Sequence, residues 1–139
     1  MLKRIATVSI VVTLVAAGAA FAATQSTGAK VTLHSTSLGK VLATSTGRTL
    51  YLNTSDTKNH SNCTGGCASA WPPLMTKGKP VAGTGVKKSL LGTAKRGSKF
   101  QVSYKGHPLY TFSGDSGAGQ TNGEGTGGFF VVTAAGNQK

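Results

Sequence analysis

Residues 47–56 read Gly-Arg-Thr-Leu-Tyr-Leu-Asn-Thr-Ser-Asp, and residues 106–115 read Gly-His-Pro-Leu-Tyr-Thr-Phe-Ser-Gly-Asp. The two stretches lie 59 residues apart, and the positions that are identical in both are Gly47 and Gly106, Leu50 and Leu109, Tyr51 and Tyr110, and Asp56 and Asp115. Identities that recur at one fixed offset indicate an internal repeat. The same offset aligns Val41 with Phe100 and Trp71 with Phe130, so we expect those pairs to be equivalent.

Each copy of the repeat predicts a β-hairpin around its glycine. Apolar residues alternate along 40–45 and 48–52 in the first copy and along 99–104 and 107–112 in the second, as half-buried antiparallel strands require. Gly47 and Gly106 supply the turn conformations that other residues resist. Further strands are predicted at 31–35 and 129–133, and no segment after the amino terminus has a convincing helical period.

The sequence therefore predicts an all-β fold, a small antiparallel sandwich or barrel-like sheet built from two pseudo-symmetric hairpin repeats. We place the repeats at about 40–76 and about 99–135 within one domain, 23–139. Asp56 and Asp115 are expected to cap connecting turns by accepting backbone N–H groups. Trp71 is expected to lie in the core rather than on an exposed platform. The expected core consists of Leu50, Tyr51, Trp71, Leu74, Phe100, Val102, Leu109, Tyr110, Phe112, Phe130 and Val132.

The amino terminus has the features of a secretory signal peptide. Lys3 and Arg4 precede an apolar run that ends in small residues, with Ala20 and Ala22 in the positions preferred by the processing enzyme. We predict a signal-peptide helix over 1–22 that is cleaved near Ala22. The apolar run is shorter than the roughly 20 residues of a spanning helix, so no membrane span is expected after cleavage. The predicted location is secreted or periplasmic.

The chain is strongly basic, with 15 Lys and Arg residues against 3 Asp and Glu residues and a formal net charge of +12. Only two of the basic residues lie in the predicted leader, so the excess belongs to the mature domain. Such a field attracts polyanions, and outside the cytoplasm the candidates are anionic cell-envelope polymers; no specific nucleic acid is expected. Solubility alone is the alternative reason for the excess. The possible polyanion contacts are Lys77, Lys79, Lys87, Lys88, Lys95, Arg96, Lys99 and Lys105.

The chain has two cysteines, Cys63 and Cys67, separated by Thr-Gly-Gly. In an exported protein, two cysteines and no others most simply form a disulfide, which here would fix a local turn. The alternative is a soft-metal or redox site in which His60 and Met75 join the two cysteines, a donor set that suits copper. The sequence leaves both interpretations open, with the disulfide as the first expectation and no cofactor required by it.

Tyr110-Thr-Phe112-Ser-Gly-Asp115 fits the pattern Tyr-x-[Phe/Trp/Tyr]-x-x-Asp, and the chain thereby resembles the exported bacterial lipoprotein-repeat family, a secreted repeat of unknown function. The resemblance continues through the family-like segments that contain Gly47, Leu50, Tyr51 and Asp56, then Trp71, Pro72 and Pro73, and then Gly106, Pro108 and Leu109. The first copy departs from the pattern at Asn53, where an aromatic residue is expected, and the lipid-acceptor cysteine of anchored members is absent. The resemblance implies an extracytoplasmic β-repeat with no agreed catalytic activity.

Enzyme classes find little support in the sequence. It has no nucleophile elbow, no phosphate-binding loop and no zinc-protease motif, and only three carboxylates are present to orient a base. We therefore predict an exported, non-enzymatic cell-envelope or extracellular module that acts by binding or scaffolding. The alternative is an extracytoplasmic metal-binding or redox accessory protein centred on the two cysteines.

Overall fold

A computed structural model describes residues 28–139 together with Val12, Thr13 and Gly18. The predicted signal peptide and its cleavage position at Ala22 lie outside the continuous described part. The strands are β1 (Lys30–Thr36), β2 (Gly39–Thr44), β3 (Tyr51–Asn53), β4 (Met75–Thr76), β5 (Val81–Ala82), β6 (Leu91–Arg96), β7 (Lys99–Tyr104), β8 (His107–Pro108) and β9 (Phe129–Val131). A short helix, α1 (Gly66–Ala70), and a 3₁₀ turn (Lys88–Leu90) complete the elements.

Two long antiparallel hairpins form the body of the fold. β1 pairs with β2 through a turn between Thr36 and Gly39, and β6 pairs with β7 through a turn between Arg96 and Lys99. Strand β6 was not predicted, because its sequence Leu-Gly-Thr-Ala-Lys-Arg does not alternate and buries only Ala94 fully. The hairpins predicted around the two glycines are present but short.

Pairing around those glycines is limited to a few residues in each copy. β2 continues into a single bridge between Ala43 and Thr49, and β7 pairs with β8 at Ser103 with Pro108 and at Tyr104 with His107. Beyond these residues, each predicted second strand pairs with the other repeat, through Tyr51 and Tyr110. The glycine turns therefore join the outer hairpins to the central contact between repeats.

The register shows that the repeat offset changes by one residue along the chain. The turn residues Thr36 and Gly39 correspond to Arg96 and Lys99, an offset of 60, whereas Gly47 and Gly106 keep the offset of 59. The first copy has one more residue between its hairpin and its glycine. The expected equivalence of Val41 and Phe100 is therefore wrong: Val41 is fully buried, Phe100 is 41% exposed, and Phe100 does not belong to the core.

The two repeats contact each other at their tyrosines, and the last segment of each repeat pairs with the tyrosine of the other. Tyr51 N–H donates to Tyr110 O at 2.8 Å, and Tyr110 N–H donates to Tyr51 O at 3.0 Å. On its other side Tyr51 pairs with Val131 of the second repeat, while Tyr110 bridges to Pro73 of the first. Each repeat is thus paired with backbone from the other.

The core consists of two clusters on either side of this contact. One contains Leu42, Leu50, Val102, Leu109 and their neighbours, and the other contains Tyr51, Cys63, Trp71, Tyr110 and Phe129. Leu74, Phe112 and Phe130 are partly buried against these clusters. The all-β class is confirmed, with several small antiparallel sheets and no sheet closed into a barrel among residues 28–139.

The only regular helix in the described part of the chain is α1, and its five residues fall far short of a bilayer's thickness. None of the helices that the structure describes has the length and apolar character needed to cross a membrane.

Candidate functional site

The motif tyrosines and aspartates bond across the repeats. Tyr51 Oη donates to Asp115 Oδ2 at 2.7 Å, and Tyr110 Oη donates to Asp56 Oδ2 at 2.6 Å. Each motif tyrosine therefore bonds to the aspartate of the other repeat and not to the aspartate of its own repeat. The sequence repeat predicted the four residues but not this crossing.

Each aspartate also organises the loop that follows it, as predicted. Asp56 Oδ1 accepts the backbone N–H of Asn62 at 2.7 Å, and Asp115 Oδ1 accepts the backbone N–H of Asn122 at 2.9 Å. The two asparagines then donate their side-chain amides to Ser55 O at 2.6 Å and to Gly114 O at 3.3 Å. Sequence reasoning missed the asparagines, although an asparagine six or seven residues after each motif aspartate was a readable signal.

Burial sets the chemistry of the two tyrosines. Desolvation raises the pKa of Tyr51 and of Tyr110 far above the ordinary value of 10.0, and the neighbouring aspartates raise it further. At neutral pH both hydroxyls keep their protons and act as hydrogen-bond donors. The four motif residues therefore serve to join the two repeats.

The disulfide expected between Cys63 and Cys67 is present, with a Cα–Cα distance of 5.2 Å. Helix α1 leads from Cys67 to Trp71, which is 6% exposed and confirms the core prediction for this residue. The Trp71 ring stacks on Phe129 with centroids 3.8 Å apart. The expected equivalence of Trp71 with Phe130 is wrong by one residue: Pro73 and Val131 flank the two equivalent tyrosines, which makes Phe129 the counterpart of Trp71.

The four residues of the alternative metal site are placed differently. Both cysteine sulfurs are bonded to each other, and Met75 lies on β4 with 36% of its surface exposed. His60 lies beside Lys95 and Arg96 at the surface. Among the described residues, no three His, Cys, Asp or Glu side chains come together closely enough to hold a metal ion.

All three Asp and Glu side chains of the protein accept hydrogen bonds from neutral donors. Asp56 and Asp115 accept the bonds given above, and Glu124 Oε2 accepts the backbone N–H of Val131 at 2.7 Å. Arg48 is bound by carbonyl oxygens instead, donating to Phe112 O at 3.0 Å and Asp115 O at 2.8 Å. Within residues 28–139, none of the hydrogen bonds that these three acidic side chains accept comes from a lysine.

Several of the predicted polyanion contacts gather along one groove. Lys77, Lys79 and Lys88 line a hollow of about 410 Å³ beside the start of β6. Lys79 and Lys88 also line a second hollow beside β5. Lys77 and Lys99 line a third hollow together with Met75. We call the first of these hollows the lysine groove. Its lining residues are Lys77, Gly78, Lys79, Pro80, Lys88, Leu91, Gly92 and Thr93.

The other predicted contacts lie elsewhere or have internal partners. Arg96 donates to Ser61 Oγ at 2.7 Å and to Cys63 O at 2.9 Å, so its guanidinium holds the disulfide loop. Lys105 Nζ donates to Asn137 Oδ1 at 2.7 Å. Lys95 lines a separate hollow with Arg96, and Lys87 is exposed next to Lys88. Charge alone could not distinguish the lysines of the groove from Arg96, which binds the disulfide loop.

Comparisons with known proteins agree with the repeat architecture. No curated protein and no solved structure gives a significant match. A family described as a secreted repeat of unknown function matches residues 32–75 and residues 91–132, one match to each repeat and together more than half of the chain. The matched ranges begin within the outer hairpins and end at the segments that the repeats exchange. The chain therefore belongs to this family of secreted repeats of unknown function.

Proposed function

We propose that this protein is a non-enzymatic, extracytoplasmic binding module whose lysine groove engages anionic polymers of the cell envelope. The observation that carries the proposal is the separation of charges in the fold. Every carboxylate is occupied by internal neutral donors, while Lys77, Lys79 and Lys88 gather at one groove. A concave surface lined by one sign of charge concentrates the opposite charge.

The chemistry of the groove fits a loose, charge-driven ligand. Lysine ammonium groups are flexible, strongly hydrated point charges, in contrast to the rigid fork of arginine. The groove holds no arginine among its lining residues. A repeating polymer of phosphate or carboxylate groups could exchange contacts among the lysines without a fixed pose, and its binding would weaken as salt screens the charges.

The test uses poly(glycerol phosphate) as the probe, with binding to the mature protein measured at rising salt concentration. Replacing Lys77, Lys79 and Lys88 together by glutamine should weaken binding about tenfold, since exposed ion pairs contribute about 0.2–1 kcal/mol each. The matched control replaces Lys40, Lys58 and Lys139, which are exposed and do not line the groove. It removes the same charge. Equal loss in both variants, or no binding by the unaltered protein, would contradict the proposal.

We also propose that the module works without a metal cofactor, because the disulfide occupies both thiolates of the alternative site. Intact mass after alkylation without reductant, with elemental analysis for copper, zinc and iron, tests this part. An oxidised pair that resists alkylation and a protein free of metal are expected. Two alkylatable thiols together with near-stoichiometric metal would contradict this proposal and favour a metal site at the two cysteines.

A further inference from the structure

Strands β1 and β6 occupy equivalent places in the two repeats, but their outer edges differ. β1 pairs with β2 on one side and, on the other, with β5, which runs parallel to it. Val81 N–H donates to Ala29 O at 2.9 Å, and Gly83 N–H donates to Val31 O at 2.7 Å. Among residues 28–139, β6 pairs with β7 alone. The first two residues of β1 therefore have a second strand partner, whereas no residue of β6 has one within residues 28–139.

The course of the chain explains the difference. After the first repeat, the segment from residue 77 onward crosses to β1 and supplies β5. After the second repeat, the chain folds back on itself, with Thr133 N–H donating to Asn137 O at 2.9 Å and Lys139 N–H donating to Val131 O at 3.2 Å. The carboxyl-terminal segment is thus committed to its own hairpin, and no strand of the described chain is left for β6.

The backbone of β6 is oriented to accept another strand. Val102 lies directly opposite Thr93, and its N–H and C=O are used on the side away from β6, by Leu74 O at 2.8 Å and by Leu109 N at 3.0 Å. In an antiparallel ladder, a residue facing such a partner directs its own N–H and C=O to the opposite side. The N–H and C=O of Thr93 therefore point to the open edge, and Thr93 is exposed.

We propose that the open edge of β6 binds an extended acidic peptide, which adds to the sheet as a further strand. Main-chain bonds to an exposed edge supply affinity in this mode of recognition, and alternate side chains supply specificity. The lysine groove lines the same edge at Leu91, Gly92 and Thr93, so Lys77, Lys79 and Lys88 select for carboxylates on the added strand. A second copy of this chain is disfavoured as the occupant because its net charge has the same sign.

This inference goes beyond the proposed function because it requires amide groups in the ligand. A phosphate polymer satisfies the lysines but has no backbone N–H or C=O to pair with Thr93. An acidic peptide satisfies both. The two ligands can therefore be separated by changing the backbone of either partner while the charges stay constant.

The experiment titrates the mature protein with a short peptide of alternating glutamate and valine and follows backbone amides by hydrogen exchange. Binding should slow exchange at Thr93, and the same peptide with alternate N-methylated amides should bind at least about tenfold more weakly, because it loses several main-chain bonds. Thr93→Pro should cause a similar loss, since proline removes the edge N–H and is tolerated on edge strands. Thr93→Val, which keeps the N–H, is the matched control. Thermal unfolding verifies that both variants are folded.

Three outcomes would overturn the inference. One is peptide binding that N-methylation and Thr93→Pro leave unchanged, because charge alone would then account for it. Another is protection that appears on strands other than β6. The third is binding of poly(glycerol phosphate) without binding of the peptide, a result that would leave the proposed function standing and remove only the added strand.

Discussion

The two repeats are alike where they touch each other and different where they face outward. Tyr51 and Tyr110 exchange backbone bonds and reach the opposite aspartates at nearly equal distances, 2.7 and 2.6 Å. In contrast, Lys30 and Val31 of the first repeat's outer strand pair with β5, whereas β6 has no second strand partner within residues 28–139 and lies beside the lysine groove. The shared motif thus joins the two repeats, and the difference between their outer strands is the basis of the proposed binding surface.

The loops that follow the two aspartates are held in place by different features. The first is closed covalently by Cys63 and Cys67. The second is rich in glycine and packs directly on the first at Gly123, where an added Cβ would lie 2.6 Å from the Trp71 ring. Only a residue without a side chain allows that approach. One repeat therefore supplies the large aromatic ring and the other supplies the space for it.

The largest expected effect comes from removing the aromatic contact between the repeats. Trp71→Ala should lower the free energy of unfolding by about 3–5 kcal/mol, as for other large aromatic side chains in cores. Trp71 contacts Tyr51, Phe112 and Phe129, so its loss opens both halves. Urea unfolding measures the change. Phe100→Ala is the control and should cost less than about 1 kcal/mol, since Phe100 is 41% exposed.

The next effect tests whether the crossed bonds are equivalent. Asp115→Ala leaves the buried Tyr51 hydroxyl and the backbone N–H of Asn122 without their acceptor and should cost about 2–3 kcal/mol. Asp56→Ala should cost less because Asp56 is only partly buried. A double-mutant cycle between Asp115→Ala and Tyr51→Phe should show coupling, whereas Asp115→Ala with Tyr110→Phe should be nearly additive. Coupling within a repeat instead of across repeats would contradict the exchange.

These residues show how far the sequence could predict the fold and the site. The repeat, the all-β class, the disulfide and the burial of Trp71 followed from local patterns. The crossed partners did not, because equal spacing within each copy is compatible with bonding inside a copy or between copies. Strand β6 was missed because an edge strand with a glycine and two basic residues has little hydrophobic alternation to reveal it.

The candidate site was only partly predictable for a related reason. The lysines were identified from composition, but their grouping depends on the crossing of the 77–90 segment between the sheets, which no local pattern encodes. Arg96 shared their charge, yet the fold uses it to bind Ser61 and Cys63. The open edge of β6 depends on where β5 and the carboxyl-terminal segment pair, and these are contacts between segments distant in sequence.

A smaller effect is expected from opening the covalent loop of the first repeat. Reduction of the Cys63–Cys67 bond should lower the free energy of unfolding by about 2 kcal/mol or less, because so short a loop restricts little of the unfolded chain. Chemical unfolding with and without reductant measures this. A reduced protein that fails to fold would show that the loop organises far more than its own turn.

The ionisation of the two tyrosines is expected to have the smallest effect on the free energy of unfolding at neutral pH. This effect increases as the pH becomes alkaline. Burial raises their pKa in the folded state, so the unfolded chain loses its tyrosine protons first as pH rises above about 10. The stability that these hydroxyls contribute should be fully present below pH 10 and should decline above it. Tyr51→Phe and Tyr110→Phe should each flatten the decline by a similar amount. Unfolding measured across alkaline pH tests this, and a decline that either substitution leaves unchanged would contradict the raised pKa of that tyrosine.

A titration of the protein with poly(glycerol phosphate), followed residue by residue through its backbone amide signals, tests most directly whether the lysine groove is the binding surface. We expect changes at residues 77–93, around the lysine groove and the start of β6, and none at Lys30 and Val31, where β5 covers the outer edge of β1. Changes spread evenly over all exposed lysines, or confined to the first repeat, would contradict the claim that the difference between the repeats defines the binding surface.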